Sequence, residues 1–460
     1  MVMNYKKKQC KKLAIRMVAS FFYKAISICI SKSHPFLLDL WYNARNERKK
    51  FVHGRRKYII MNMNQNYNKT IRACLTAYIV QAIVNNFVPL LFLTLQKSYH
   101  IPLSKITLLI TINFGLQLLV DLASVSFVDK IGYRASAIIA HVCCASGFIL
   151  LTILPDLFDD AFIGLLLCVM VYAVGGGLLE VLVSPIVEAC PTTNKDKVMS
   201  LLHSFYCWGY VAVVLLSTLF FQFVGITHWK LLALLWTIIP ISNIIAFIKV
   251  PIAPLVEEEE NKMSVKDLVH KRIFWVLMLL MFCAGACEQA VSQWASTFAE
   301  KGLGVSKAVG DLAGPMLFAI LMGTSRMVYG KYGHKINLQR FMFLSSLLCV
   351  ASYLMISLTS IPILGLVGCG LSGLAVGILW PGTFSIAAVS IRYGGTAMYA
   401  LLALAGDLGC SGGPTFVGMV SSAFEDNLQM GILMAVIFPI LLILGISLNK
   451  KMNHQTVNQL

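Results

Sequence analysis

Long apolar runs set the first limit on what this chain can become. From Ile71 onward, stretches of about 20 apolar residues or more alternate with short polar connections, and a helix needs about 20 residues to cross a bilayer's hydrocarbon. No water reaches the backbone there, so each run has to close its own hydrogen bonds as a helix. The runs predict spans at 72–95, 105–127, 135–154, 161–189, 199–223 and 230–249. After a polar segment come 273–298, 308–330, 339–359, 362–390, 396–423 and 428–448. Composition agrees: the chain is 58% hydrophobic and only 13% charged, with a mean hydropathy of +0.75, far more apolar than a soluble domain. The fold class expected is an all-α integral membrane protein, with twelve transmembrane helices in two pseudo-symmetric six-helix bundles.

Five segments follow from this pattern. Residues 1–70 form a basic extension, 71–249 an N-terminal six-helix bundle, 250–271 a linker, 272–450 a C-terminal six-helix bundle and 451–460 a tail. The net charge of +17 is concentrated in the extension, where residues 1–60 hold fifteen Lys and Arg against Asp39 and Glu47. Two readings of that extension stand side by side: an interfacial helix on anionic lipid, or a disordered or over-long start with Met61 or Met63 as the opening residue. A nucleic-acid-binding arm has little rationale beside a membrane domain. The linker carries the acidic run Glu257–Glu260, a solvated face without chemistry, then the basic stretch Lys262–Arg272. Thirteen basic residues in the connections of one side, against five on the other, put both termini and the linker in the cytoplasm of a multi-pass plasma (inner) membrane protein. The thirteen cysteines lack zinc or redox spacing and read as small packing residues within the apolar runs.

The stretch Gly175-Gly176-Gly177-Leu178-Leu179-Glu180 stands out within these runs. Three glycines lower helix propensity, so close packing against a neighbouring helix is expected of them. Glu180 follows at membrane depth, where a charge costs at least about 2.5–3.5 kcal/mol on insertion scales. It is either a neutral, hydrogen-bonded packing residue or part of a solute or proton site.

The two halves also repeat each other at an offset of about 200 residues. Asp129-Lys130-Ile131-Gly132-Tyr133-Arg134 follows the second span, and Gly330-Lys331-Tyr332-Gly333-His334-Lys335 follows the eighth. Leu201-Leu202-His203 with Gly209 is matched by Leu401-Leu402-Ala403 with Gly409. With the six-plus-six layout, the Asp-Lys-x-Gly-x-Arg loop resembles the major facilitator superfamily. Within it, Gly175-x-Gly177-x-x-Glu180-x-x-x-Ser184-Pro185, Glu288 with Trp294, Trp380-Pro381-Gly382 and Leu201–Phe205 resemble the fucose permease group of sugar–proton symporters. That resemblance covers residues 70–450. It implies alternating access, a gating role for Asp129, Lys130, Gly132 and Arg134, and a fourth-span acid at Glu180. The sequence departs from the group at Ser184, where Asn is usual before the proline, and in the first span, which offers Gln81, Asn85 and Asn86 instead of an Asp. The second departure bears on the coupling ion.

Sugar hydroxyls need directed donors and acceptors, together with aromatic faces to stack on. Gln81 and Asn85 share a helix face, as do Asn113 and Gln117, and Gln289 and Gln293. Such amides can glue helices for about 0.6 kcal/mol each, or line a polar cavity. Trp294 and Trp380 are the candidate stacking residues. The carboxylates Asp121, Glu180, Glu288 and Asp407 lie within spans, and a carboxylic acid withdrawn from water can exchange a proton near neutral pH. Glu180, Glu288 and Asp121 are the proton-coupling candidates, and Glu180 and Glu288 are also candidate solute contacts. Asp407 stands among Gly406, Gly409, Gly412 and Gly413, where the helix is expected to bend. No cofactor, metal site or catalytic residue is expected, and no nucleic-acid partner. The expected function is a secondary active transporter, a monomer in the lipid bilayer, moving a monosaccharide or other small polar solute, with proton symport as the coupling candidate. An exporter of amphipathic or cationic compounds and a non-transporting solute-sensing receptor remain alternatives.

Overall fold

A computed structural model describes residues 67–192, 195–253, 263, 265–332, 336–391 and 394–457. The expectations for residues 1–60, for Glu257–Glu260 and for the Gly333–Lys335 part of the repeat lie outside the described residues. Among the described residues, twelve helices are long and apolar enough to cross a membrane. In chain order the first six are Asn68–Tyr99, Leu103–Ser124, Tyr133–Leu151, Ala161–Ala189, Leu201–Phe223 and Ile226–Lys249. The second six are Arg272–Gly302, Lys307–Tyr329, Leu338–Leu358, Pro362–Ser390, Met398–Ala423 and Leu428–Met452. Every boundary lies within four residues of the hydropathy reading. Among the described residues the protein is all-α, with twelve helices of membrane-spanning length.

The chain resolves into two compact units that cut across the order of the spans. One comprises Met1–Val80, Val120–Leu202 and Ala233–Val256; the other comprises Gln81–Leu119, His203–Leu232 and Glu257–Leu460. In the first unit, small residues bring the third and fourth spans together. A Cβ on Gly175 would lie 2.5 Å from the Ala140 carbonyl oxygen and 2.5 Å from Cys144 Sγ, so the glycine run works as a packing face. The fourth span continues unbroken through Pro185, and Asp160 caps its start by accepting from the Phe162 amide at 3.0 Å. His141 of the third span is fully buried: Nδ1 bonds the Ala137 carbonyl at 2.7 Å and Nε2 meets Asn243 at 2.8 Å.

In the second unit the seventh and eleventh spans pack glycine against backbone. A Cβ on Gly409 would fall on the Phe282 carbonyl oxygen, and one on Gly413 on the Ala286 carbonyl. The eleventh helix runs unbroken over Gly395–Ala423. Gly409 and Gly413, near Asp407, thus serve close approach within a continuous helix. Gly412 differs, because the nearest atom to its Cβ position is the Phe282 ring at 3.6 Å. Gly409→Ala is expected to cost about 1–3 kcal/mol through overpacking and to lower the unfolding temperature in detergent, whereas Gly412→Ala leaves it unchanged. Fluorescence-detected size-exclusion after heating checks both.

Candidate functional site

Six of the twelve spans are interrupted within their length: the sixth at Thr237, the eighth by the π segment Leu312–Met316, the twelfth after Met434, and three more that carry polar residues. The helix of the first span stops at Asn86, gives way to the 3-10 turn Val88–Leu91 and resumes at Phe92. The seventh stops at Ser292 and continues through the short segments Ala295–Thr297 and Phe298–Gly302. The tenth stops at Val376 and restarts at Leu379. Irregular backbone at membrane depth persists where protein or cavity water satisfies it, so these interruptions mark polar ground.

A chain of amides occupies it. Gln81 Nε2 donates to Gln117 Oε1 at 3.1 Å, and Gln117 Nε2 donates to Asn85 Oδ1 at 2.9 Å and to Asn113 Oδ1 at 3.1 Å. Asn113 Nδ2 reaches Asn85 Oδ1 at 3.4 Å. Gln293 Nε2 donates to Gln289 Oε1 at 3.0 Å and to the Asn85 backbone carbonyl at 3.2 Å. All six amides expected to share a site are thus brought together, from three spans. Asn86 adds a contact to the Tyr206 hydroxyl at 3.4 Å, and the Tyr210 hydroxyl meets Ser292 Oγ at 3.1 Å.

Beside this chain lies a buried ion pair. Arg326 donates from one terminal nitrogen to Glu288 Oε2 at 3.0 Å, with the two side chains 16% and 10% exposed. Its other terminal nitrogen reaches Cys207 Sγ at 3.3 Å, and its Nε reaches the Gly377 carbonyl at 3.2 Å. Arg326 is not among the residues singled out by the sequence, although a cation inside an apolar span carries the same signal as an acid. Lys307 is one of the five basic residues assigned to connections on the less basic side. Lys307 instead pairs with the fully buried Asp311 at 3.1 Å and with Glu300 at 3.2 Å, while donating to the Leu90 carbonyl at 2.6 Å. Ser296 and Thr218 complete the Asp311 cage by donating to its carboxylate.

The remaining predicted residues are placed as follows. Trp294 is fully buried; its indole N–H donates to the Pro414 carbonyl at 2.9 Å and its ring lies against Phe92. That is a packing position, with no free face for stacking. Trp380 is half-buried, edge-on to Phe384 and over Gly406, where a Cβ would collide with it. Asp407 is buried on the eleventh span. Asp121 and Glu180 belong to the first unit, with carboxylate oxygens within 4.8 Å of each other. Ser184, one turn after Glu180, bonds the Tyr78 hydroxyl at 3.2 Å. Of the loop residues, Gly132 takes φ +93° between two helices, a conformation that suits glycine. Lys130 is exposed. Arg134 donates to the Phe247 and Ile248 carbonyls at 2.7 and 2.8 Å, capping the end of the sixth span. Asp129 lies on the helix before Gly132, and its side chain is outside the described residues.

Twelve apolar spans with polar side chains gathered at interrupted helices define a polytopic membrane protein of the carrier type. A model of the Major Facilitator Superfamily matches residues 73–414, and the chain belongs to that superfamily: it is a transporter. No curated protein matches it at a significant level. Among solved structures, the E. coli fucose:proton symporter is similar at 15% identity and TM-score 0.59, covering 84% of this chain and 99% of that one. A D-xylose-proton symporter is similar at 12% identity and TM-score 0.65, covering 81% and 97%. A bacterial homolog of the human lysosomal transporter Spinster, inward-facing and occupied, reaches TM-score 0.64 at 14% identity, covering 83% and 96%. At these identities the likeness establishes the fold.

Removing one partner of a buried ion pair strands the other charge, typically for about 3–5 kcal/mol. Glu288→Gln should therefore lower the unfolding temperature markedly, and adding Arg326→Gln to it should recover part of the loss. A thermal-denaturation series on the purified variants checks this.

Proposed function

We propose that this transporter moves a small polar solute, most plainly a monosaccharide, by alternating access and with proton symport. The observation that carries the reading is the amide chain from Gln81 to Gln293 lying beside a Glu288–Arg326 pair whose charges cancel. Neutral donors and acceptors on several helices suit hydroxyl-rich, uncharged solutes, because each amide offers both roles. An amphipathic cation would instead favour an apolar site with an unpaired acid. Two proteins similar in fold are sugar–proton symporters, of fucose and of D-xylose, which makes L-fucose and D-xylose the first solutes to try.

Proton coupling is read onto Asp121 and Glu180. Carboxylate oxygens of the two lie within 4.8 Å of each other, close enough for a proton to pass between them. Glu288, already matched by a guanidinium, is the weaker proton carrier and the better solute contact. The loop charges support cytoplasmic termini and linker in a plasma membrane protein, with residues 71–249 and 272–450 rocking as two six-helix halves of a monomer.

Uptake of labelled L-fucose and D-xylose into proteoliposomes, with and without an inward proton gradient, tests the reading. Sugar accumulation that follows the gradient is expected. Binding without flux would favour a receptor, and efflux of hydrophobic cations without sugar flux an exporter. Glu180→Gln keeps shape and removes titration, so it should abolish gradient-driven accumulation while sparing sugar exchange between equilibrated compartments. Accumulation at the wild-type level in that variant would remove Glu180 from the coupling role.

A further inference from the structure

Two of the helix interruptions have a common cause in the sequence. In a helix the carbonyl of residue i accepts the N–H of residue i+4, and proline has no N–H to give. Pro89 stands four residues after Asn85, and Pro381 four residues after Gly377. The Asn85 carbonyl accepts from Gln293 Nε2 at 3.2 Å, and the Gly377 carbonyl accepts from Arg326 Nε at 3.2 Å. In both cases a side chain from a different span supplies the hydrogen that the proline withholds. Proline alone does not produce this arrangement, since Pro185 and Pro414 sit inside unbroken helices.

We propose that Pro89 and Pro381 are positioning residues for the polar cluster: each frees a backbone carbonyl that anchors one side chain of the site, Gln293 or Arg326. The proposal rests on reading that cluster as the solute site. Gln293 spends both Nε2 hydrogens on Asn85 and Gln289, which leaves Oε1 to accept from a solute hydroxyl. Arg326 spends its Nε hydrogen on Gly377 and one hydrogen from each terminal nitrogen on Cys207 and Glu288. One N–H on each terminal nitrogen is left to donate. Anchored in this way, the two residues present acceptor and donor in fixed directions, which a polyol requires because each hydroxyl both gives and takes. Without the anchors, a glutamine and an arginine are among the most freely rotating side chains.

Paired substitutions separate anchoring from simple packing. Pro89→Ala gives residue 89 an amide hydrogen for the Asn85 carbonyl, so Gln293 is no longer needed there. Gln293→Leu should then lower the unfolding temperature clearly in the wild-type background and far less in the Pro89→Ala background. Arg326→Lys, which keeps a cation facing Glu288, should behave in the same way with Pro381→Ala. In transport, Pro89→Ala should raise the KM for L-fucose or D-xylose at least fivefold without lowering the unfolding temperature, a split that a merely structural proline would not give. Additive temperature shifts in both cycles, or an unchanged KM, would overturn the proposal. If the wild-type protein takes up neither sugar, the monosaccharide reading fails and the two cycles decide the anchoring by themselves.

Discussion

In hydrocarbon, an unbonded backbone carbonyl or amide costs several kcal/mol, and the site of this protein depends on how that cost is avoided. Six of the twelve spans meet it with continuous helix, whereas the first, sixth, seventh, eighth, tenth and twelfth are interrupted within their length. At two of those breaks the carbonyl that loses its intrahelical hydrogen is met by Gln293 or Arg326. At these two places the backbone exception and the polar cluster meet.

Charge is handled in the same conservative manner. Inside the second unit Arg326 faces Glu288, and Lys307 faces Asp311 and Glu300. Both buried cations thus have carboxylate partners, as desolvation demands. The amide chain is left uncharged, and in the first unit carboxylate oxygens of Asp121 and Glu180 lie within 4.8 Å of each other.

Much of this was legible in the sequence, and for physical reasons. Hydropathy registers span length directly, so twelve spans were placed to within a turn. The i, i+4 spacing of Asn113 with Gln117 and of Gln289 with Gln293 is a helical property, and both pairs are bonded. Gly175 was read as a packing glycine from its neighbours alone. What escaped was pairing across spans. Arg326 and Asp311 were not singled out, because nothing in a linear pattern says which helix faces which. Trp294 looked available for stacking, but a buried indole N–H had already claimed the Pro414 carbonyl. That Gly409 and Gly413 lie against the seventh span could not be read from their number alone. Pro89 and Pro381 were visible as residues, yet their effect depends on donors about 200 and about 50 positions away.

The central claim is that solute binds at the amide chain, and equilibrium binding tests it most directly. Labelled L-fucose and D-xylose would be titrated against purified wild-type protein, Gln117→Leu and Gln289→Leu, with unfolding temperature measured on the same samples. The account predicts that both variants stay folded and that affinity for the bound sugar falls at least tenfold in each. Wild-type affinity in two folded variants would contradict it.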